Sequence, residues 1–146
     1  MNPKSDLDLT DPNWKIYCST KGLPPQYIAD TAHIENSLVT VGCNVYGSLD
    51  FSVLFSDVTV EEGATVEYSL VMPGAVIKKG ATVRYAIVAE NSVIGEDAVV
   101  GEPPESATDI KEWGITVIGE GLTIGKGAVV GAKNMLTEDV ADGGRV

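Results

Sequence analysis

The stretch Tyr68–Gly101 reads YSLVMPGAVIKKGATVRYAIVAENSVIGEDAVVG, and its second half nearly repeats its first at an offset of seventeen residues. Sliding the chain by seventeen aligns Val60 with Ile77 and Ile94, Val66 with Val83 and Val100, Ala64 with Ala81 and Ala98, and Ser52 with Ser69 and Ala86. Within one copy aliphatic residues recur at six, six and five, as in Val60, Val66, Met72 and Ile77. A repeat of this length dictates architecture before any other feature is weighed. A helix needs spacings of three and four, and EEGATV puts Gly and β-branched residues where helix propensity is poor. The spacing predicts instead a triangular prism: each hexad makes one short strand and a corner, and three hexads close a coil. Small residues such as Gly63, Ala64, Gly80 and Ala81 suit the crowded corners. Coils then stack by backbone hydrogen bonds, and no coil buries its inner face alone. A coil of seventeen rather than eighteen shortens one corner, which the spacing places at Met72–Val76 and again at Ala89–Val93.

The repeat outlasts that stretch. Ile28 and Ile34 sit six apart, the register breaks around Gly42 to Gly47, and it resumes near Ser52. Hexads return at Ile118, Ile124 and Val130 after EPPESATDIKEWG, which carries prolines and acids and reads as a loop leaving the prism. The expected organisation is an extended arm over 1–27, a prism over 28–140 with a loop inserted at 102–114, and a frayed tail over 141–146.

Composition narrows the function classes. Hydrophobic residues make up 44% and aromatics 6%, a thin spread of aliphatics that fits many short strands. The formal net charge of −11 repels phosphate backbones and anionic membranes, and no basic stripe is present, so no nucleic-acid or membrane partner is expected. No run approaches membrane-spanning length and the opening residues lack a signal-peptide core, which points to a cytoplasmic protein. Cys18 and Cys43 stand without C-x-x-C spacing and are expected as reduced, packed thiols.

Conventional chemistry is sparse. The sequence has one histidine, His33, so three histidines of one chain cannot hold zinc, and a solvent-facing or structural role outweighs that of a catalytic base. The triplets Gly119–Gly121 and Gly125–Gly127 read as corner glycines rather than a phosphate cradle. Glu61–Glu62 align with Lys78–Lys79 one coil along, a charge stack on a solvated surface. Lys78, Lys79, Arg84, Lys111 and Lys126 offer a modest anion site at most.

Several strings exceed generic hexad grammar. LDLTDPNWKIYCSTKGLPPQYI, IENSLVTVGCNVYGSLDFSVLF, YSLVMPGAVIKKGATV and AIVAEN together resemble the C-terminal half of bacterial glucose-1-phosphate adenylyltransferases, the ADP-glucose pyrophosphorylases of glycogen synthesis, over about Leu7 to Val130. The resemblance implies an all-β, left-handed parallel β-helix with an N-terminal extended arm. It implies a regulatory and oligomerisation domain, inactive alone, whose partners are a nucleotidyltransferase domain carrying the ATP and Mg²⁺ sites and further subunits of a homo- or heterotetramer. A phosphate-bearing effector would act between the domains. Carried over residue by residue, one effector lysine falls on Lys111 and another near Thr82, two residues before Arg84. Arginines of enteric members fall around Glu90 and Glu120, so fructose-bisphosphate activation is expected to be weak or absent. Trp14 and Tyr17 on the arm are the expected interdomain or oligomer contacts. The competing expectations are a self-standing trimeric acyltransferase using His33 and acyl-CoA, and a β-helix whose only role is assembly.

Overall fold

The computed structural model describes residues 22–106, 109–111 and 113–146. These form a left-handed parallel β-helix of about six coils with three six-stranded faces. The first face carries β1 (Tyr27–Ile28), β4 (Asn44–Val45), β7 (Thr59–Val60), β10 (Val76–Ile77), β13 (Val93–Ile94) and β16 (Thr123–Ile124). The second carries β2 (His33–Glu35), β5 (Ser48–Asp50), β8 (Thr65–Glu67), β11 (Thr82–Arg84), β14 (Val99–Val100) and β17 (Val129–Val130). The third carries β3 (Leu38–Val39), β6 (Val53–Leu54), β9 (Leu70–Val71), β12 (Ala86–Val88), β15 (Thr116–Ile118) and β18 (Met135–Leu136). Each strand pairs in parallel with those one coil above and below, in the order just given.

Alternation along these short strands sends one residue inward and its neighbours out. Val60, Ile77, Ile94 and Ile124 fill the core from the first face, Leu49, Val66, Val83 and Val100 from the second, and Leu54, Val71, Val88 and Ile118 from the third. Full burial of one such aliphatic contributes about 1.5–3 kcal/mol, so the stacked columns are the main source of stability.

The short corner lies elsewhere than the spacing suggested. Val71 is buried and pairs with Leu54 and Val88, whereas Met72 stands half-buried on the outside. Inward residues are therefore five apart at Leu49–Leu54, Val66–Val71 and Val83–Val88, and the short corner joins the second face to the third. Leu70, Val71 and Met72 are three consecutive apolar residues, and with Val71 paired between Leu54 and Val88 the alternation of the strand turns Leu70 and Met72 outward.

The break near Gly42–Gly47 is a tightened corner: β4 and β5 both stay paired, but Leu49 follows Val45 after only four residues. Gly47 makes this possible, because a Cβ there would stand 2.8 Å from the Glu61 carbonyl oxygen and 3.0 Å from Val60 Cγ1.

The segment 141–146, expected to fray, instead extends the prism. Val140 bridges to Ile124 and Arg145 to Val129, and the Gly125 and Gly131 amides donate to Val140 O and Val146 O at 2.7 and 2.8 Å. The edge strands β16 and β17 offer unpaired groups that these residues satisfy. The loop expected at 102–114 leaves from the second–third corner, between β14 and β15, with a 3₁₀ turn over Pro104–Ser106.

The three faces turn different chemistry outward. Tyr27, Asn44, Thr59, Val76, Val93 and Thr123 make a mixed column on the first. His33, Ser48, Thr65 and Thr82 run beside Glu35, Asp50, Glu67 and Arg84 on the second. Leu38, Val53, Leu70, Ile87, Val117 and Met135 give the third an entirely apolar column.

Candidate functional site

The second–third corner gathers most of the unusual features. Asn36, Phe51, Tyr68 and Tyr85 occupy equivalent places in successive coils, all in the left-handed region with φ of 46°, 44°, 49° and 47°. That conformation is ordinary for Asn and an outlier for a bulky aromatic. Phe51 stacks on Tyr68 with centroids 5.2 Å apart, and Tyr68 on Tyr85 at 4.8 Å, each pair within 4° of parallel. Trp113, returning from the inserted loop, meets Tyr85 edge-on at 5.4 Å and 83°, and its indole N–H donates to Glu102 O at 2.8 Å. Behind the rings runs a serine ladder. Ser52 N–H donates to Ser37 Oγ, Ser69 N–H to Ser52 Oγ and Ala86 N–H to Ser69 Oγ, at 3.1 to 3.2 Å. Hydroxyls thus supply the hydrogen bonds that the five-residue corner cannot make by backbone alone.

Arg84 and Lys111 flank this corner on different segments. Arg84 directly precedes Tyr85, and its Nε lies 2.8 Å from Glu67 Oε2, its neighbour one coil away. The approach is off the N–H axis, making an ion pair rather than a hydrogen bond and leaving this buried nitrogen without a hydrogen-bond partner. Lys111 lies two residues before Trp113 on the exposed loop, its backbone N–H held by Asp109 Oδ1 at 2.9 Å. The Trp113–Tyr85 contact therefore joins the two segments that carry them. The surroundings are acidic as well as basic: burial first, then the charges of Glu105, Tyr68 and Glu67, push the Tyr85 hydroxyl above its ordinary pKa. An anion here must draw Arg84 away from Glu67. Trp14, Tyr17 and Cys18 lie outside the described residues.

His33 is exposed on β2, with Nε2 2.9 Å from Glu35 Oε1, beside a shallow open cavity of about 170 Å³ that includes Ser48, Thr65 and Glu67. Glu90 borders a groove of about 230 Å³ together with Asp57 and Asn91, an acidic setting that suits no phosphate. The amides of Gly119, Gly121, Gly125 and Gly127 donate to Leu136, Glu90, Val140 and Glu96 carbonyls, so these glycines turn corners and cradle nothing. Glu62 and Lys79 come within 3.9 Å, and Lys79 N–H donates to Glu61 Oε2 at 2.9 Å, an exposed stack of small energetic weight. Cys43 is buried and donates to Phe55 O at 3.0 Å; burial pushes its thiol pKa up against the opposing hydrogen bonds. Among the described residues no three His, Cys, Asp or Glu side chains are grouped to hold a metal, and no helix is long and apolar enough to cross a membrane.

The aromatic stack and the apolar outer column of the third face were both missed by sequence reasoning. The seventeen-residue offset does align Phe51's successors Tyr68 and Tyr85, which is the trace that could have revealed the stack.

Residues 25–124 match the model of the family described as GlmU-like, C-terminal hexapeptide. Glucose-1-phosphate adenylyltransferases of Bacillus mycoides (strain KBAB4) and Bacillus anthracis are 47% and 46% identical to the chain over 66 residues, 45% of this chain and 18% of each relative. The match thus spans under a fifth of those relatives' length. A hexapeptide transferase family protein from Anaplasma phagocytophilum superposes with a TM-score of 0.67 at 21% identity, over 82% of this chain and 74% of that one. A point mutant of perosamine N-acetyltransferase from Caulobacter crescentus, in complex with CoA and GDP-perosamine, does so at 0.54 and 17%, over 83% and 52%. At such identities the likeness is one of fold.

Proposed function

The chain belongs to the GlmU-like C-terminal hexapeptide family, and we propose that within it this is the regulatory and assembly domain of a glucose-1-phosphate adenylyltransferase, with no catalysis of its own. The observation that carries the reading is the 47% identity to such an enzyme across 66 residues, far above what hexad grammar alone would give between unrelated β-helices. The whole enzyme would join glucose 1-phosphate to the α-phosphorus of ATP and release pyrophosphate, in a nucleotidyltransferase domain that also holds Mg²⁺. This domain would bias that reaction by binding an effector more tightly in one arrangement of the domains than in another. Lys111 and Arg84 are the proposed effector contacts, and Trp14 and Tyr17 the proposed interdomain contacts. A homo- or heterotetramer in the cytoplasm is the expected form of the whole.

The test has three arms on the full chain. Supplied with ATP, glucose 1-phosphate and Mg²⁺, it releases no pyrophosphate. Inorganic phosphate shifts the NMR signals of Arg84 and Lys111, and Lys111→Ala weakens that response. Acetyl-CoA has no effect. Pyrophosphate release by the chain itself, or saturable acetyl-CoA binding, would overturn the proposal.

One observation favours a second reading, a self-standing acyltransferase. His33 and Glu35 form a hydrogen-bonded pair at an open cavity, the arrangement of a base with its orienting acid. That reading requires His33→Asn to abolish transfer from acetyl-CoA to a sugar amine or hydroxyl.

A further inference from the structure

The third face is unlike the other two. Its outward column is apolar in every coil, and the parallel row toward the first face, from Thr40 through Phe55, Met72 and Ala89, is uncharged as well. The sequence carries 21 acids and 10 bases, yet none stands on either row. Leu70 is 40% exposed and Met135 74% exposed, so the surface faces solvent rather than another part of the described chain. Along its other flank the rings of Phe51, Tyr68 and Tyr85 form a rim, held in a backbone conformation that bulky residues avoid.

We propose that this face is a two-fold interface on which a second copy of the chain seats face to face. The proposal stands on the face itself and is independent of the adenylyltransferase reading. Charge selects the occupant. Two copies of a chain with a net charge of −11 repel wherever their acids meet; on the third face both the outward column and the row beside it lack charge, whereas Glu61 and Lys78 stand in the corresponding row of the first. A basic partner would be drawn to the acidic corners and the second face, where charge complementarity favours it. A flat uncharged strip, in contrast, is self-complementary, as a two-fold contact requires. Size agrees: six strands about 4.8 Å apart and a width of five residues make a strip of roughly 24 by 16 Å. Two such strips with their aromatic rims bury on the order of 1,000 Å² in total, at the lower end of specific interfaces, so the dimer is reversible.

Sedimentation velocity of the full chain over a wide concentration range tests this. A monomer–dimer equilibrium is expected, with Leu70→Glu raising the dissociation constant at least about tenfold. Met135→Glu, at a position exposed enough to leave folding untouched, is expected to act in the same direction. Thr59→Glu, on the outside of the first face, is the control and leaves the equilibrium unchanged. Circular dichroism confirms that each variant is folded. A monomer at all concentrations, a trimer, or a dimer indifferent to both Leu70→Glu and Met135→Glu overturns the proposal. Loss of the dimer by Leu70→Glu in a chain that does bind acetyl-CoA would leave it standing while removing the adenylyltransferase reading.

Discussion

The rings of Tyr68 and Tyr85 lie 4.8 Å apart and within 4° of parallel, although both residues have left-handed backbones. A left-handed conformation costs a residue with a Cβ roughly 1–2 kcal/mol, and a stacked aromatic pair returns about 0.5–1.5 kcal/mol beyond its burial. Strain and stacking are therefore of similar size. The middle ring, which stacks on both sides, is the one best compensated.

Tyr68→Ala keeps the strained backbone and removes two stacks, and is expected to destabilise the fold by about 1–3 kcal/mol. Tyr68→Gly removes the stacks and the strain together, so its loss should be smaller. Urea unfolding of the two variants decides the matter. Equal losses, or a worse glycine, would show that the backbone there is not strained.

Gly47 admits the four-residue corner between Val45 and Leu49 because it has no Cβ to meet the Glu61 carbonyl. Gly47→Ala forces the neighbouring coil outward and should lower stability by about 1–3 kcal/mol. Gly127, with open space around the position of its missing Cβ but φ of +63°, provides a contrast in which only backbone strain acts. Thermal unfolding of both alanine variants separates crowding from strain.

Ser69 accepts from the Ala86 amide at 3.1 Å and donates to Glu67 O at 2.7 Å while 3% exposed. Ser69→Ala leaves the buried Ala86 N–H without a partner, a loss of about 1–3 kcal/mol. Hydrogen exchange at Ala86 should speed up in the variant more than at Val83, which lies on the neighbouring face of the same coil.

Lys126, hydrogen-bonded to Glu96 at 2.8 Å, holds that carboxyl below the usual carboxylate range, and Glu96 holds the Lys126 ammonium above its own. Because the Glu96 pKa is depressed on folding, its contribution is present above the ordinary carboxylate range and is lost as pH falls through the folded value. Lys126 has the opposite sign: its contribution is present below the ordinary lysine range and is lost as pH rises through the folded value. Both groups are exposed, so salt should weaken the effect. NMR titration is expected to show the Glu96 midpoint rising in Lys126→Met, and no change there would refute the pairing in solution.

Much of the prism could be read from residue types alone. Val60, Ile77 and Ile94 share a spacing that only a coil of fixed length satisfies, and the structure stacks them. Periodicity fails where neighbours compete: Leu70, Val71 and Met72 are all apolar, and only packing chooses Val71. Nothing in a tyrosine announces a left-handed backbone, since that conformation depends on the stack that only neighbouring coils provide. Arg145 and Val146 carry no hexad pattern, yet the edge of β17 captures them through backbone groups that every residue has. Lys111 and Arg84 were visible as positive charges, but Glu67 as the partner of Arg84 follows from the stacking of Glu67 on Arg84, seventeen residues away in sequence.

The inserted loop leaves the coil after β14 and re-enters at β15 without disturbing any pairing: Val83 lies on Val100, and Val100 lies in turn on Val130, as though nothing intervened. The second–third corner thus behaves as a port through which chain can be let out and taken back in phase. A peptide grafted between Ser106 and Trp113 would inherit a fixed pair of anchor points, while the coils on either side continued to fold against each other as before.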